Sequence, residues 1–289
     1  MRFLLIFLMS MSLFAGNQLF TPIESIEYDY KKAQLGKNLF YDTRLSPSGT
    51  ISCERCHNLY WNTSGTIDHN IKVSISGYMN PPTVLNAASN FLFFKNGRVR
   101  NMKDQVIESI TDLNQLGSTK EFVVKKVSSN AKYRSQFYAV YDEGVTFENI
   151  VDAIAEFQKA LITPNARFDQ FLRGDENALS SDEKRGFELF KKVGCINCHS
   201  GRNLGANVYY NVQLDDNSVK AETGYYKVPG LRNIAKTAPY FYNGKQDNLK
   251  EAIRHVSGLQ VSQDITDEEM EFIYKFLLTL SGEKPEILK

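Results

Sequence analysis

Two short runs hold every cysteine of this chain, Cys53-Glu-Arg-Cys56-His57 and Cys195-Ile-Asn-Cys198-His199. Each reads C-x-x-C-H, the pattern of c-type haem attachment. The spacing has a mechanical cause. Residues three and four apart share one face of a helical turn, so two thiols can add to the two vinyl groups of a haem while the histidine reaches the iron from the same side. Cys53, Cys56, Cys195 and Cys198 are thus the expected covalent anchors of two haem c groups, with His57 and His199 as axial iron ligands. Three other uses of the cysteines compete: two disulfides, a redox C-x-x-C pair, or one zinc ion held between the two runs. None of these calls for histidine directly after the second cysteine, twice.

The flanking sequence suits a small haem domain. Before the second run, Ser180-Ser-Asp-Glu183 forms a capping box, and Phe187 and Phe190 are spaced to pack on a haem edge. Leu35, Leu39 and Phe40 give a similar apolar stripe before the first run. Thr266-Asp-Glu-Glu269 opens a late helix with Met270, Ile273, Phe276, Leu277 and Leu280 on one face, expected to pack on the helix before Cys195. Residues 147–161 also read as helix. Strand alternation is scarce, and stretches 58–92 and 200–245 read as long loops, of a length that suggests they wrap something. The expected fold is all-α, with two cytochrome c-like haem domains and long wrapping loops. The boundary falls between Thr163 and Glu176, giving domains 17–163 and 164–289. The halves repeat one plan without close sequence identity.

Residues 1–16 stand apart. Arg2, an apolar run from Phe3 to Phe14 and the small pair Ala15-Gly16 read as a secretory signal. The run is shorter than the ~20 residues that cross a bilayer, and no later segment is apolar enough to span. With a formal net charge of +1, nothing in the charge balance points to nucleic acid or a membrane surface.

From residue 35 onward the chain resembles the bacterial di-haem cytochrome c peroxidases and their MauG-like relatives. The segments that carry the resemblance are Leu35-Gly-Lys-Asn-Leu-Phe40, Asp42-Thr-Arg-Leu-Ser46, Gly49-Thr-Ile-Ser-Cys53, Asn80-Pro-Pro-Thr-Val-Leu-Asn86 and Asn96-Gly-Arg98. Thr163-Pro-Asn-Ala-Arg-Phe-Asp169, Pro229-Gly-Leu-Arg-Asn-Ile-Ala235 and Thr237-Ala-Pro-Tyr-Phe241 follow in the same order. The resemblance implies a periplasmic protein, often a homodimer, whose C-terminal haem accepts electrons from a small donor such as a mono-haem cytochrome c. Its N-terminal haem would reduce hydrogen peroxide. Gln105 matches a glutamine lining the peroxide site, and Asn80 with the carbonyls of Thr237 and Pro239 matches a calcium site. Such oxygen-only ligands suit a hard cation.

The chain also departs from the family pattern. Gln115 stands where the resemblance puts the catalytic glutamate, and the loop that carries a distal histidine is shortened to Ser76-Gly77-Tyr78-Met79. Lys95 replaces the tryptophan between the haems, Val256 the methionine of the C-terminal iron, and Tyr242 a histidine beside that haem. Splitting the peroxide O–O bond needs a group that moves a proton between the two oxygens. An amide hydrogen-bonds but does not titrate. If 105–115 is helical, Glu108 and Asp112 share the face of Gln115 and could substitute, although solvated surface acids are the plainer reading. His69 reads as an exposed loop histidine, and His255 points away from the Val256 direction. Loss of methionine ligation lowers the potential expected of the C-terminal haem. The leading reading is a peroxidase-type oxidoreductase. An electron carrier or redox sensor, and a MauG-like oxidase of another substrate, are the alternatives.

Overall fold

The structure, a computed structural model, describes residues 19–59, 80–205, 208–211, 225–241, 244–260 and 264–289. The leader at 1–16, His69, the shortened loop 76–79 and Tyr242 lie outside them. The N-terminal half holds α1 (Tyr30–Phe40), α2 (Cys53–Cys56), α3 (Met102–Thr111), α4 (Lys120–Ser129), α5 (Ala131–Tyr138) and α6 (Phe147–Lys159). The C-terminal half holds α7 (Arg167–Leu172), α8 (Ser181–Lys192), α9 (Leu249–Gln260) and α10 (Asp267–Leu278). The expected capping box of Ser180 with Glu183 forms on α8, and Thr266 with Glu269 forms another on α10, the expected late helix.

In each half the helix before the C-x-x-C-H run packs on the closing helix, α1 on α6 and α8 on α10. The approach is close because a glycine sits at the crossing. A Cβ on Gly36 would lie 1.8 Å from the Ala153 carbonyl oxygen, and one on Gly186 would lie 1.9 Å from that of Phe272. Around the first crossing Leu39, Ile150 and Ile154 are fully buried, worth about 1.5–3 kcal/mol each. Around the second, Phe168, Phe187 and Phe276 meet at ring-centre distances of 5.1 Å. Phe187 is thus part of this aromatic core, and Phe190, 5.3 Å from Phe276, joins it while lying 6.4 Å from the His199 ring.

The stretch read as loop from 200 to 245 contains a hairpin that the sequence reading missed. Strands β1 (Tyr209–Asn211) and β2 (Tyr225–Lys227) pair antiparallel, with Tyr209 opposite Lys227. The hairpin leans on the N-terminal half, Lys227 N donating to Lys95 O at 2.7 Å and Tyr209 Oη to Gly97 O at 3.1 Å.

The ends of the described chain are exchanged between halves. Phe20 is buried among Phe168 and Phe187 of the C-terminal core, while Ile287 is buried with Phe40 and Phe157 of the N-terminal one. An ion pair buried on both sides, Arg232 with Asp169, holds the incoming segment. Asp169 accepts from Ile23 N at 3.0 Å, and Arg232 donates to Thr21 O at 3.3 Å.

Two asparagines complete the repeat. Asn86 and Asn233 lie four residues after Pro82 and Pro229, and both adopt the left-handed conformation, φ 57° and 64°. Asn86 N donates to Leu161 O and its Oδ1 accepts from Thr163 N. In the same way Asn233 N donates to Leu280 O and its Oδ1 accepts from Gly282 N. Each clips the segment just after its closing helix. Both amide nitrogens then donate to one hydroxyl, Thr163 Oγ1, at 2.8 and 3.0 Å.

Candidate haem sites

Cys53 and Cys56 lie on α2, a single turn capped by the Ser52 hydroxyl, and His57 N continues the turn by donating to Cys53 O at 2.9 Å. The second run winds as a tighter 3₁₀ turn over Cys195–Asn197, with His199 N again 2.9 Å from Cys195 O. In both runs the backbone turns once between the first cysteine and the histidine. His57 Nδ1 is 2.9 Å from Pro82 O. His199 Nδ1 is 3.1 Å from Leu204 O, and the backbone of Pro229, the counterpart of Pro82, also favours the charged ring. An Nδ1–H held by a carbonyl fixes the tautomer and leaves the Nε2 lone pair for a metal. Burial lowers both imidazoles to about 4 against the pull of those carbonyls, so both are neutral at pH 7.

The thiols move the other way. Burial, with Cys56 close by, pushes Cys53 up to about 12, and burial pushes Cys195 up to about 11. A redox dithiol needs an attacking sulfur held low, so these surroundings do not suit one. All four cysteines are free of disulfides. Among the described residues no three His, Cys, Asp or Glu side chains converge as a metal cluster, so the two runs do not meet around a zinc ion.

Gln105 lies in the first turn of α3 and Gln115 in the turn that follows the helix. Gln105 Nε2 donates to Ser109 Oγ at 2.7 Å, and its Oε1 accepts from the buried Gln158 at 3.2 Å. The chain after α3 doubles back, Leu116 N donating to Ser109 O and Ser118 N to Ile110 O. The helix itself stops at Thr111, so Glu108 and Asp112 do not share a helical face with Gln115. Asp112 instead turns at the helix end and accepts from Gln115 Nε2 at 3.2 Å and from Asn114 N at 2.8 Å. Arg98, stacked on Phe94, binds Glu108 through Nε and lies 3.8 Å from Asp112. Burial works against the charge on Asp112, but Asn114, Gln115 and Arg98 outweigh it and hold the carboxyl below its usual range. Both acids considered as substitutes thus face the same guanidinium. Arg98 was visible only as part of Asn96-Gly-Arg98, with no sign in the sequence of what it would bind.

Elsewhere, Asn80 Nδ2 donates to Pro239 O at 2.7 Å and Phe241 O at 3.0 Å, leaving its buried Oδ1 without a partner. Thr237 is buried two residues before Pro239. Val256 is half-buried on α9, and His255 is exposed, 5.0 Å from the Phe241 ring.

Residues 30–177 match the family model for di-haem cytochrome c peroxidase, and residues 183–281 match that for cytochrome c. The chain belongs to the di-haem cytochrome c peroxidase family. The cytochrome c551 peroxidase of Nitrosomonas europaea is 37% identical to it, over 96% of this chain and 88% of its own length. That of Pseudomonas aeruginosa is 32% identical, over 89% and 80%. Among solved structures, a MauG-like protein associated with microbial copper homeostasis matches with a TM-score of 0.76 at 25% identity, covering 91% of this chain and 93% of that one. As a di-haem cytochrome c peroxidase-type oxidoreductase, the protein carries two covalently bound haem c groups. The paired thiols and the neutral, carbonyl-clipped histidines fit them.

Proposed function

We propose that the protein reduces hydrogen peroxide to two waters, consuming two electrons and two protons, with electrons from a small redox protein such as a mono-haem cytochrome c. The haems supply electron storage and an iron at which the O–O bond is cleaved. The chain's own residues divide the rest. His199 and its thiols hold the electron-accepting site, and His57 with Cys53 and Cys56 the peroxide site. The observation that carries this reading is that both histidines are presented neutral, with Nδ1 occupied and Nε2 free. Gln105, fixed by Ser109 and Gln158, orients bound peroxide, and Gln115, held by one Nε2 hydrogen bond to Asp112, offers Oε1 as an acceptor. Neither amide carries a proton between the oxygens, so turnover is slow for the family.

The same reading includes a periplasmic location, a homodimer and a calcium ion. A half-turn of the Asn80 carboxamide would present Oδ1 to the carbonyls of Pro239 and Phe241. With the Thr237 carbonyl, these oxygens repel one another unless a hard cation such as calcium sits among them. Among the described residues no helix is long and apolar enough to cross a membrane. The occupation of Glu108 and Asp112 by Arg98 favours a second reading, an electron carrier or redox sensor.

Steady-state turnover of peroxide with reduced mono-haem cytochrome c decides between them. It is made on holoprotein from the periplasmic fraction, sized in solution, with calcium and then with chelator. Peroxide-dependent oxidation of the donor, weakened by chelator, is expected. No turnover with both haems in place would sink the peroxidase reading.

A further inference from the structure

Lys227 ends β2, where the two halves meet, and its side chain has no hydrogen-bond, ion-pair or ring partner among the described residues. Protein surrounds it closely enough that burial lowers its amine to about 8, yet part of its surface is still open. His57 and His199 are in the same condition, strongly shifted by burial and still partly open. The strand fixes where the side chain starts. Lys227 N is bonded to Lys95 O, Lys95 Nζ stands 5.8 Å from the Tyr226 ring centre, and two residues later the Pro229 backbone stands close enough to the His199 ring to favour its charged form.

An ammonium taken out of water without a counter-charge costs several kcal/mol. No described carboxylate supplies that charge. The holoprotein brings carboxylates the polypeptide lacks, since each haem c carries two propionates. We propose that the Lys227 ammonium binds a propionate of the haem ligated by His199, forming an ion pair at the seam between the halves. The inference rests on the haem attachment that family membership establishes, and adds the residue that fixes the edge of that haem. A cation held there favours the reduced haem, and offsets part of the lowering expected from Val256 in the methionine position.

The test is potentiometric titration of the holoprotein, followed by haem absorbance, for the unmodified chain, Lys227→Met and Lys227→Arg. Intact mass establishes two haems in each. In Lys227→Met the potential of the C-terminal haem should fall by about 59 mV or more, a tenfold change in a one-electron equilibrium. Lys227→Arg should keep most of the original value. Unchanged potentials in Lys227→Met with two haems attached would overturn the pairing and leave the haem assignment standing, whereas a mass lacking a haem would fault the assignment itself. A potential in the unmodified protein that moves with added phosphate or chloride at constant ionic strength would assign the amine to a free anion, and overturn the proposal too. If Lys227→Met does not accumulate, Lys227→Gln removes the charge while keeping a polar group and is read in the same way.

Discussion

Gln115 donates to Asp112 at 3.2 Å, so a glutamate in its place would set two carboxylates against each other. Like charges that close cannot both ionise freely, and one titration of the pair moves up toward neutrality. A carboxyl that titrates there is what proton transfer between peroxide oxygens requires. Gln115→Glu is therefore expected to raise peroxide turnover about ten-fold or more, the low side of what general acid–base catalysis supplies, and to add a limb to the pH–rate profile. Combining it with Asp112→Asn should shift that limb to lower pH, because the repulsion that raised the titration is gone. Unchanged turnover in Gln115→Glu would place the proton carrier elsewhere. At this scale the sequence put Asp112 beside Gln115, and the two do meet, but through the turn after Thr111 and not along a helical face. The helical spacing extrapolated past that end, and so put Asp112 on the wrong geometry.

Among elements, the informative comparison is between α1 on α6 and α8 on α10. Both crossings need a residue with no side chain, and both have it four positions before the phenylalanine that ends the same stripe, Gly36 before Phe40 and Gly186 before Phe190. Gly186→Ala should destabilise the holoprotein by about 1–3 kcal/mol, the usual cost of overpacking, read as a lower midpoint in denaturant with an unchanged slope. An unchanged midpoint would mean that α10 can move aside. The capping boxes, the late helix and the two haem turns were legible because each is written in neighbouring residues. The hairpin was not, since its strands are three residues each and are joined by contacts to Lys95 and Gly97 a hundred positions away. The repeat of Pro82 to Asn86 in Pro229 to Asn233 was present in the sequence, yet its meaning is conformational. An asparagine at positive φ that clips a helix end has no chemical signature beyond its spacing.

The whole molecule is held at Thr163, where one buried hydroxyl accepts from Asn86 of the first half and Asn233 of the second. Thr163→Val keeps the shape and removes the acceptor, so each amide left without a partner should cost about 1–3 kcal/mol. Thr163→Ser should restore most of the loss. Thermal unfolding of the three holoproteins measures both, and equal stability of the Val variant would show that the clips do not depend on each other. The exchanged ends act on a different axis, that of time. A chain made from its N-terminus presents Phe20 before any of the core that will bury it exists. The N-terminal core, whose helices emerge first, waits for Ile287. Order of synthesis and order of completion thus run in opposite senses, since the N-terminal core needs Ile287 and the C-terminal core needs Leu280 before its interior is finished.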